Sequence, residues 1–247
     1  MNVSKIAGKQ MKRKSRPVAA GAVVCISALA LSGCGLSTNK DGGLSINASA
    51  VGGAEQGSGY RTQQQRTLGQ FHAIEDHAVC DLTVTDGQPF NVVVEADENL
   101  FPQIITEIKD GTLTINLDKS VTSNKPFRVL VSMPKLDKVN CSGVGTITIN
   151  NVSEPSLSVQ QAGAGTVTVQ GAADMVDLTL SGVGQADLKQ LQAKAATVLL
   201  SGTGSAKVNA LEMLTAEVSG IGKLTYSGNP PKLQKKVSGL GSIVPES

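Results

Sequence analysis

The sequence predicts an all-β fold, a right-handed parallel β-helix (a β-solenoid) with short rungs of about 19–20 residues. Three observations predict it: a glycine motif at near-constant spacing, alternating apolar residues on both sides of that motif, and a scarcity of aromatic side chains. The chain has 247 residues, with four Phe, two Tyr and no Trp, and 40% of its residues are hydrophobic. This content is sufficient for a core, while a helical bundle would contain more Leu, Glu and Lys.

The glycine motif has the form small-Gly-x-Gly and occurs six times in the second half of the chain. Its first glycines are separated by 20, 19, 20, 18 and 19 residues. The six motifs are Ser142–Gly145, Ala162–Gly165, Ser181–Gly184, Ser201–Gly204, Ser219–Gly222 and Ser238–Gly241. A unit this short cannot bury an apolar face by itself, so the constant period indicates six stacked rungs with a glycine corner in each.

Apolar and polar residues alternate on both sides of each motif, which is the pattern of a strand with one buried face. The inward column expected after the motif is Ile147, Val167, Ala186, Ala206, Leu224 and Ile243. The column expected before it is Cys141, Leu180, Leu200, Val218 and Val237, with Gln161 as the polar exception. Each repeat is therefore predicted to supply two or three short strands, and parallel crossovers favour a right-handed coil.

Residues 67–135 show strand patterns but lack the motif, and they are predicted to form a less regular or capping part of the same solenoid. The predicted strands are Leu82–Val84, Phe90–Val94, Gln103–Ile108, Leu113–Leu117 and Phe127–Val131. Turn sequences such as Asp86-Gly87 separate them. The predicted domain therefore covers residues 67–247, with the repeats at 136–247.

Residues 1–33 are predicted to be a lipoprotein signal peptide. Six Lys and Arg residues precede the largely apolar run Val18–Leu31, and no acid occurs before Asp41. The run has 14 residues, fewer than the about 20 that a membrane-spanning helix needs. The segment Leu31-Ser-Gly-Cys34 resembles the bacterial lipobox, which implies cleavage before Cys34 and acylation of its sulfur. Gly35, by resemblance to Gram-negative sorting, implies the outer membrane. Translation starts at Met1 or Met11.

Residues 34–66 are rich in Gly, Ser and Gln and contain few large apolar side chains. Such a composition buries too little surface to offset the ordering entropy, so the sequence predicts a flexible tether. Without the six cations of the signal, 16 basic residues remain against 20 acidic ones. A mildly acidic body gives no electrostatic reason to bind nucleic acid.

A set of motifs in a fixed order resembles one known family over roughly residues 67–247. The motifs are Phe71-x-x-Ile74, Val79–Val84, Val92–Glu95 followed by Asp97–Leu100, Asp110–Ile115, and then the Ser-Gly-x-Gly repeats. Together they resemble the bacterial "putative auto-transporter adhesin head GIN" domain family. The resemblance implies a β-helical domain carried on exported proteins and lipoproteins, without an established chemistry and without catalytic residues to carry over.

The residues themselves predict no catalytic, cofactor or metal site. The glycine motifs lack the third glycine and the helix of a dinucleotide site. His72 and His77 are expected on opposite sides of a strand, which makes them poor co-ligands for a metal ion. The densest acids are Asp174, Asp177 and Asp187, and no insertion builds a cleft beside them. Asp187 and Lys207 are expected to form a surface ion pair, so the sequence predicts no enzyme.

Threonine residues recur at two positions of neighbouring rungs. Thr146 and Thr148 are expected beside Thr166 and Thr168, an array that resembles ice-binding solenoids but extends over only two rungs. Structural threonines are therefore the interpretation, because Thr is a good strand residue.

Cys80 and Cys141 remain after processing. Either a disulfide or two free thiols fits the sequence, since export permits the bridge and an inward column suits a buried thiol.

The function predicted from these observations is that of a lipid-anchored cell-envelope protein, held on the membrane through Cys34, with a non-enzymatic solenoid surface for adhesion or binding. Outward polar residues suit a broad, multivalent contact. The expected polar ladder is Asn150, Gln170, Lys189, Asn209 and Ser227. The alternatives are a periplasm-facing envelope scaffold or accessory protein and, more distantly, a polysaccharide-active β-helix enzyme. The sequence identifies no ligand.

Overall fold

The structure is a computed structural model that describes residues 35–38, 44–47 and 53–246. It divides into two compact units, Met1–Gly52 and Gly53–Ser247. In the first unit, strand β1 (Gly35–Thr38) pairs antiparallel with β2 (Leu44–Asn47). The predicted signal peptide at residues 1–33 and the predicted lipidation site Cys34 lie outside the described residues. Strands make up 71% of the described chain and helix 3%.

The second unit begins with short strands and one 3₁₀ turn. The strands are β3 (Glu55–Gln56), β4 (Arg61–Arg66), β5 (Ala73–Asp76), β6 (Cys80–Asp86), β7 (Asn91–Asp97), β8 (Ile104–Lys109), β9 (Thr112–Leu117), β10 (Val121–Thr122), β11 (Phe127–Met133) and β12 (Lys138–Cys141). The 3₁₀ turn covers Glu98–Gln103. All five strands predicted between residues 82 and 131 are confirmed, with ends shifted by a few residues.

Long strands follow in the repeat region. They are β13 (Val144–Gln161), β14 (Ala164–Leu180), β15 (Val183–Leu200), β16 (Thr203–Val218), β17 (Ile221–Ser227), β18 (Lys232–Val237) and β19 (Ser242–Pro245). Neighbouring strands from β12 to β19 pair in parallel, and the second glycines of the motifs lie in register from Gly145 to Gly222. The stacked coils form a β-solenoid of about five turns, which confirms the predicted fold class.

The strands within a repeat differ from the prediction in their length. Each of β13 to β16 runs 16 to 18 residues from one glycine motif to the next. Because the hydrogen bonds between rungs continue through the outer bends, two or three predicted short strands merge into one strand that bends. The predicted inward columns are confirmed as far as Val218 and Ile243, with Ile147, Val167 and Leu200 buried and with the polar Gln161 buried beside them. The prediction is wrong at Val237, which is 46% exposed because β18 is an edge strand that no further rung covers.

Residues 71–133 extend the solenoid and then close it. On one side of the coil, strand β6 pairs in parallel with β13, and β11 in turn with β6. On the other side, β5 pairs in parallel with β12 and β9. Antiparallel pairs then end the sheet on both sides, β11 with β7 and β7 with β4 on the first and β9 with β8 on the second.

The predicted tether at residues 34–66 is wrong where the structure places strands, since β1, β2, β3 and β4 all lie within it. Residues 61–66 form β4, which pairs antiparallel with β7 from Arg61↔Asp97 to Arg66↔Val92. The free edge of β7 offers backbone partners to any extended segment, so the polar composition that suggested a tether did not prevent a strand. Within the described residues, no helix combines the length and the apolar character needed to cross a membrane.

Candidate functional site

One face of the solenoid carries a flat array of threonine side chains. Thr83, Thr148 and Thr168 stand in parallel register on β6, β13 and β14, one on each rung. The sequence predicted only two rungs of this array, because Thr83 belongs to a strand outside the glycine repeat. The column continues into Asp187 and Lys207, whose Oδ2 and Nζ atoms lie 4.0 Å apart, so the predicted ion pair is confirmed.

The polar ladder at the edge of this face is only partly regular. The side-chain amide of Gln170 donates to Oδ1 of Asn150 at 2.9 Å, and Asn209 lies in register with Ser227. The ladder is broken at Lys189, where one extra residue in β15 brings Gln190 opposite Gln170. The ammonium of Lys189 instead lies 2.9 Å from Oε1 of Glu246. A β-bulge of this kind turns a side chain away from its column.

The glycine corners support a second feature, which we call the apolar ridge. A Cβ atom on Gly163 would overlap the carbonyl oxygen of Gly143, so the backbones of successive corners stack without any side chain between them. The residue between the two glycines carries a side chain, and that side chain points outward. The ridge consists of Val79, Val144, Ala164, Val183, Thr203, Ile221 and Leu240.

The ridge is a row of mostly apolar exposed side chains, interrupted by the half-buried Ala164 and the polar Thr203. Val183 is 63% exposed, Ile221 is 57% exposed and Leu240 is 80% exposed. At one residue per rung, seven residues extend over about 29 Å. The first motif position, two residues before the ridge residue, holds an exposed Ser or Ala in all six motifs, so the neighbouring side chain there is small. Single exposed apolar residues are ordinary on a protein surface, whereas a row of them marks an interaction surface.

A polar cluster lies buried beneath the first corner. Oδ2 of Asp76 lies 3.5 Å from Sγ of Cys80 and 3.8 Å from Sγ of Cys141, and the amide of Ala78 donates to Oδ1 at 3.0 Å. Asp76 stands in register with Cys141, and Gln161 is the next residue of that column. Both cysteines are free thiols in the structure.

Burial determines the ionisation of this cluster. It raises the pKa of the Asp76 carboxyl, and the hydrogen bond from the amide of Ala78 offsets only part of that effect. Burial, together with the nearby Asp76 carboxylate, raises the pKa of Cys80 far above its usual range and that of Cys141 to about 11. Since the thiolate is the reactive form, these thiols are unreactive at neutral pH.

The other titratable residues considered in the sequence stand apart from one another. His72 Nδ1 lies 3.2 Å from Oδ2 of Asp137, and His77 Nδ1 lies 2.6 Å from Oγ of Ser142. Asp174 pairs with Lys194 at 2.6 Å, and Asp177 is exposed on its own strand. In the part of the chain that the structure describes, no three His, Cys, Asp or Glu side chains are placed to hold a metal ion.

A family model and several solved structures match this chain. A family model described as "Putative auto-transporter adhesin, head GIN domain" matches residues 70–230. No curated protein matches the sequence.

Solved structures described as putative adhesins share the fold. One from Bacteroides fragilis has a TM-score of 0.66 at 24% identity, over 77% of this chain and 99% of that chain. One from Parabacteroides merdae has a TM-score of 0.51 at 21% identity, over 78% of this chain and 98% of its own. One from Parabacteroides distasonis has a TM-score of 0.51 at 21% identity, over 78% of this chain and 100% of that chain.

Proposed function

Because the chain belongs to the auto-transporter adhesin head GIN domain family, we propose that it is a lipid-anchored adhesin of the cell envelope. The solenoid is an adhesin-like, non-enzymatic body. The lipobox-like segment that ends at Cys34 supports an acyl anchor, and Gly35 after it supports the outer membrane. Two or three acyl chains hold a protein on a membrane almost permanently, at about 0.8 kcal/mol per buried CH₂.

The apolar ridge is the observation that carries the adhesive function. Its side chains are held outward by glycine corners that leave no room for any other side chain, so their exposure is a property of the fold. Exposing Val183, Ile221 and Leu240 to water does not add to the stability of the solenoid. Such a row fits a partner that buries it.

The regular spacing of the ridge favours multivalent contact. Each rung adds one equivalent side chain, so a partner with repeated apolar groups engages several at once, and the summed affinity far exceeds that of a single contact. The threonine face beside the ridge presents small side chains at Thr83, Thr148 and Thr168 before the column reaches Asp187, which permits a partner to lie across these three rungs.

Antibody labelling of a tag at the C-terminus, on intact and on permeabilised cells, tests the proposal. Label on intact cells that is lost or released by Cys34→Ala is expected for a lipid-anchored adhesin. Label that requires permeabilisation contradicts the adhesin and leaves a periplasm-facing scaffold. Label on intact cells that Cys34→Ala does not change contradicts the lipid anchor but not the surface location.

A further inference from the structure

A cavity of about 600 Å³ lies between the first turn of the solenoid and the segment that joins β9 to β11. Its wall is mostly apolar. The main apolar side chains are Val79, Leu100, Leu117, Val121, Phe127 and Val144. Its volume is within the range of small-molecule sites, about 300 to 1,000 Å³, and such sites combine an apolar wall with a few polar groups.

Specific hydrogen bonds hold this cavity open. Strand β10 pairs with β3 through its backbone, and Oγ of Ser123 donates to Oδ2 of Asp97 at 2.9 Å. The joining segment is therefore attached to β3 and Asp97, not packed onto the solenoid. Val79 and Val144 are 55% and 48% exposed, and both line the cavity. These two residues are also the first two of the apolar ridge.

The acidic groups at the cavity mouth already have donors. Nε of Arg61 lies 2.7 Å from Oε1 of Glu95, and this hydrogen bond lowers the pKa of that carboxyl. Oδ1 of Asp81 accepts from the amide of Thr146 at 3.2 Å. The carboxylates at the mouth thus accept hydrogen bonds from within the protein, and Glu95 also has a cationic partner.

A cation, Lys125, also lies at the cavity mouth. Its side chain is exposed at the cavity mouth, and among the described residues its ammonium makes no ion pair and no hydrogen bond. Two smaller recesses of about 190 Å³ and 210 Å³ flank the mouth, and Lys125 lines both of them. Arg128, which is also exposed, lines the 190 Å³ recess. The mouth therefore offers a cation to an anion that arrives from outside.

We propose that this cavity binds a single-chain anionic amphiphile. Its alkyl chain lies against Val79, Val144 and Phe127, and its carboxylate or phosphate pairs with Lys125. A carbohydrate would need several hydrogen-bonding groups in the wall, which is mostly apolar. The site depends neither on the acyl anchor nor on the adhesive function of the apolar ridge.

Fluorescence of dansyl-undecanoate measures the binding, with the full-length chain carrying Cys34→Ala so that no acyl chain of the protein competes. Laurate, dodecyl phosphate and neutral dodecanol are the competitors. Laurate or dodecyl phosphate is expected to displace the probe at least about tenfold better than dodecanol does. The better of the two anions identifies the head group. Equal displacement by dodecanol would overturn an anionic ligand.

Matched variants locate the site. Val144→Asp should abolish probe binding, while Val183→Asp, at the equivalent motif position outside the cavity, should leave it within about twofold. Lys125→Glu should weaken laurate binding at least about tenfold without changing that of dodecanol, and Lys223→Glu is its surface control.

Thermal unfolding of each variant verifies that it is folded. Absence of saturable binding to the parent chain, or equal effects of Val144→Asp and Val183→Asp in folded proteins, would overturn the proposal.

Discussion

The carbonyl oxygen of Gly143 occupies the space that a Cβ atom on Gly163 would need. The same relationship recurs at each later corner, where the first glycine of one motif lies against the first glycine of the motif before it. The small-Gly-x-Gly motif is therefore a packing requirement of stacked corners. This close stacking also holds the intervening side chain outward, which creates the apolar ridge.

Gly163→Ala should destabilise the solenoid, because the added methyl group meets backbone atoms that cannot rotate away. Overpacking of this kind costs about 1–3 kcal/mol or more, and in a domain of this size each kcal/mol lowers the melting temperature by about 2–4 °C. Thermal unfolding by circular dichroism measures the effect. Gly69→Ala is the matched control, since its nearest atom would be Cδ1 of Ile108 at 3.9 Å. Equal melting temperatures would contradict the packing role.

Val183→Asp and Ile221→Asp together should weaken adhesion and leave stability nearly unchanged. Both side chains are mostly exposed, so surface substitutions there change the free energy of unfolding by only about 0.5 kcal/mol. Attachment of cells that express the variant, compared with wild type at equal surface amount, measures the effect. Asp177→Asn, at an exposed position to which no binding role is assigned, is the control. Undiminished attachment of the double variant would remove the ridge from the proposed adhesive surface.

Cys80 and Cys141 should resist alkylation in the folded protein and react fully in denaturant. Burial keeps both thiols protonated at neutral pH, and the pKa of Cys141 is raised to about 11. Iodoacetamide labelling followed by mass spectrometry counts the modified thiols in each state. Two labels in denaturant are expected from a protein with free thiols. None in denaturant without reductant would demonstrate the disulfide that the sequence left open.

Asp76→Asn should change how stability depends on pH. Burial raises the folded-state pKa of Asp76, with His77, Cys80 and Cys141 as its titratable neighbours. The stability associated with such a group is fully present below its unfolded pKa and is lost as pH rises through the folded pKa. Wild type should therefore lose stability relative to Asp76→Asn as pH rises above the unfolded-state pKa of about 4 toward neutral pH, as measured by urea unfolding.

Asp174→Asn, at an exposed ion pair with Lys194, is the control for that measurement. It should follow the pH dependence of wild type closely. If the stability difference between wild type and Asp76→Asn stays constant over this pH range, the carboxyl does not titrate as its burial requires.

Lys235→Val should promote end-to-end association of the solenoid. Lys235 lies on the last rung, where it stands in register with the buried Ala216 of the rung before. Its Nζ lies 5.6 Å from the centre of the Tyr226 ring. An inward-pointing charge on an edge strand opposes the addition of another strand. Light scattering after size-exclusion chromatography should show larger species for Lys235→Val. Lys232→Val, in register with the exposed Met213, should remain like wild type; equal association of both variants would contradict this role.

The repeat region could be predicted closely from the sequence. The inward columns that contain Ile147 and Leu180 follow from alternation and from a period that returns each residue above its counterpart. Register at Lys189 could not be predicted, because one inserted residue in a long strand leaves the alternation on either side nearly unchanged. The strand Arg61–Arg66 was missed, since its polar side chains carry no apolar signal and its partner β7 lies 25 or more residues away.

The sequence by itself determined the coil, its period and the glycine corners, because each rung repeats the same local pattern and each corner excludes a side chain. The tertiary structure decided which residues from segments far apart in the chain become neighbours. Asp76 joins the column of Cys141, Thr83 extends the threonine face, and Lys125 reaches the mouth of a cavity lined by Val144. These contacts depend on the register between distant strands, which hydrogen bonding across the sheet fixes and local sequence does not record.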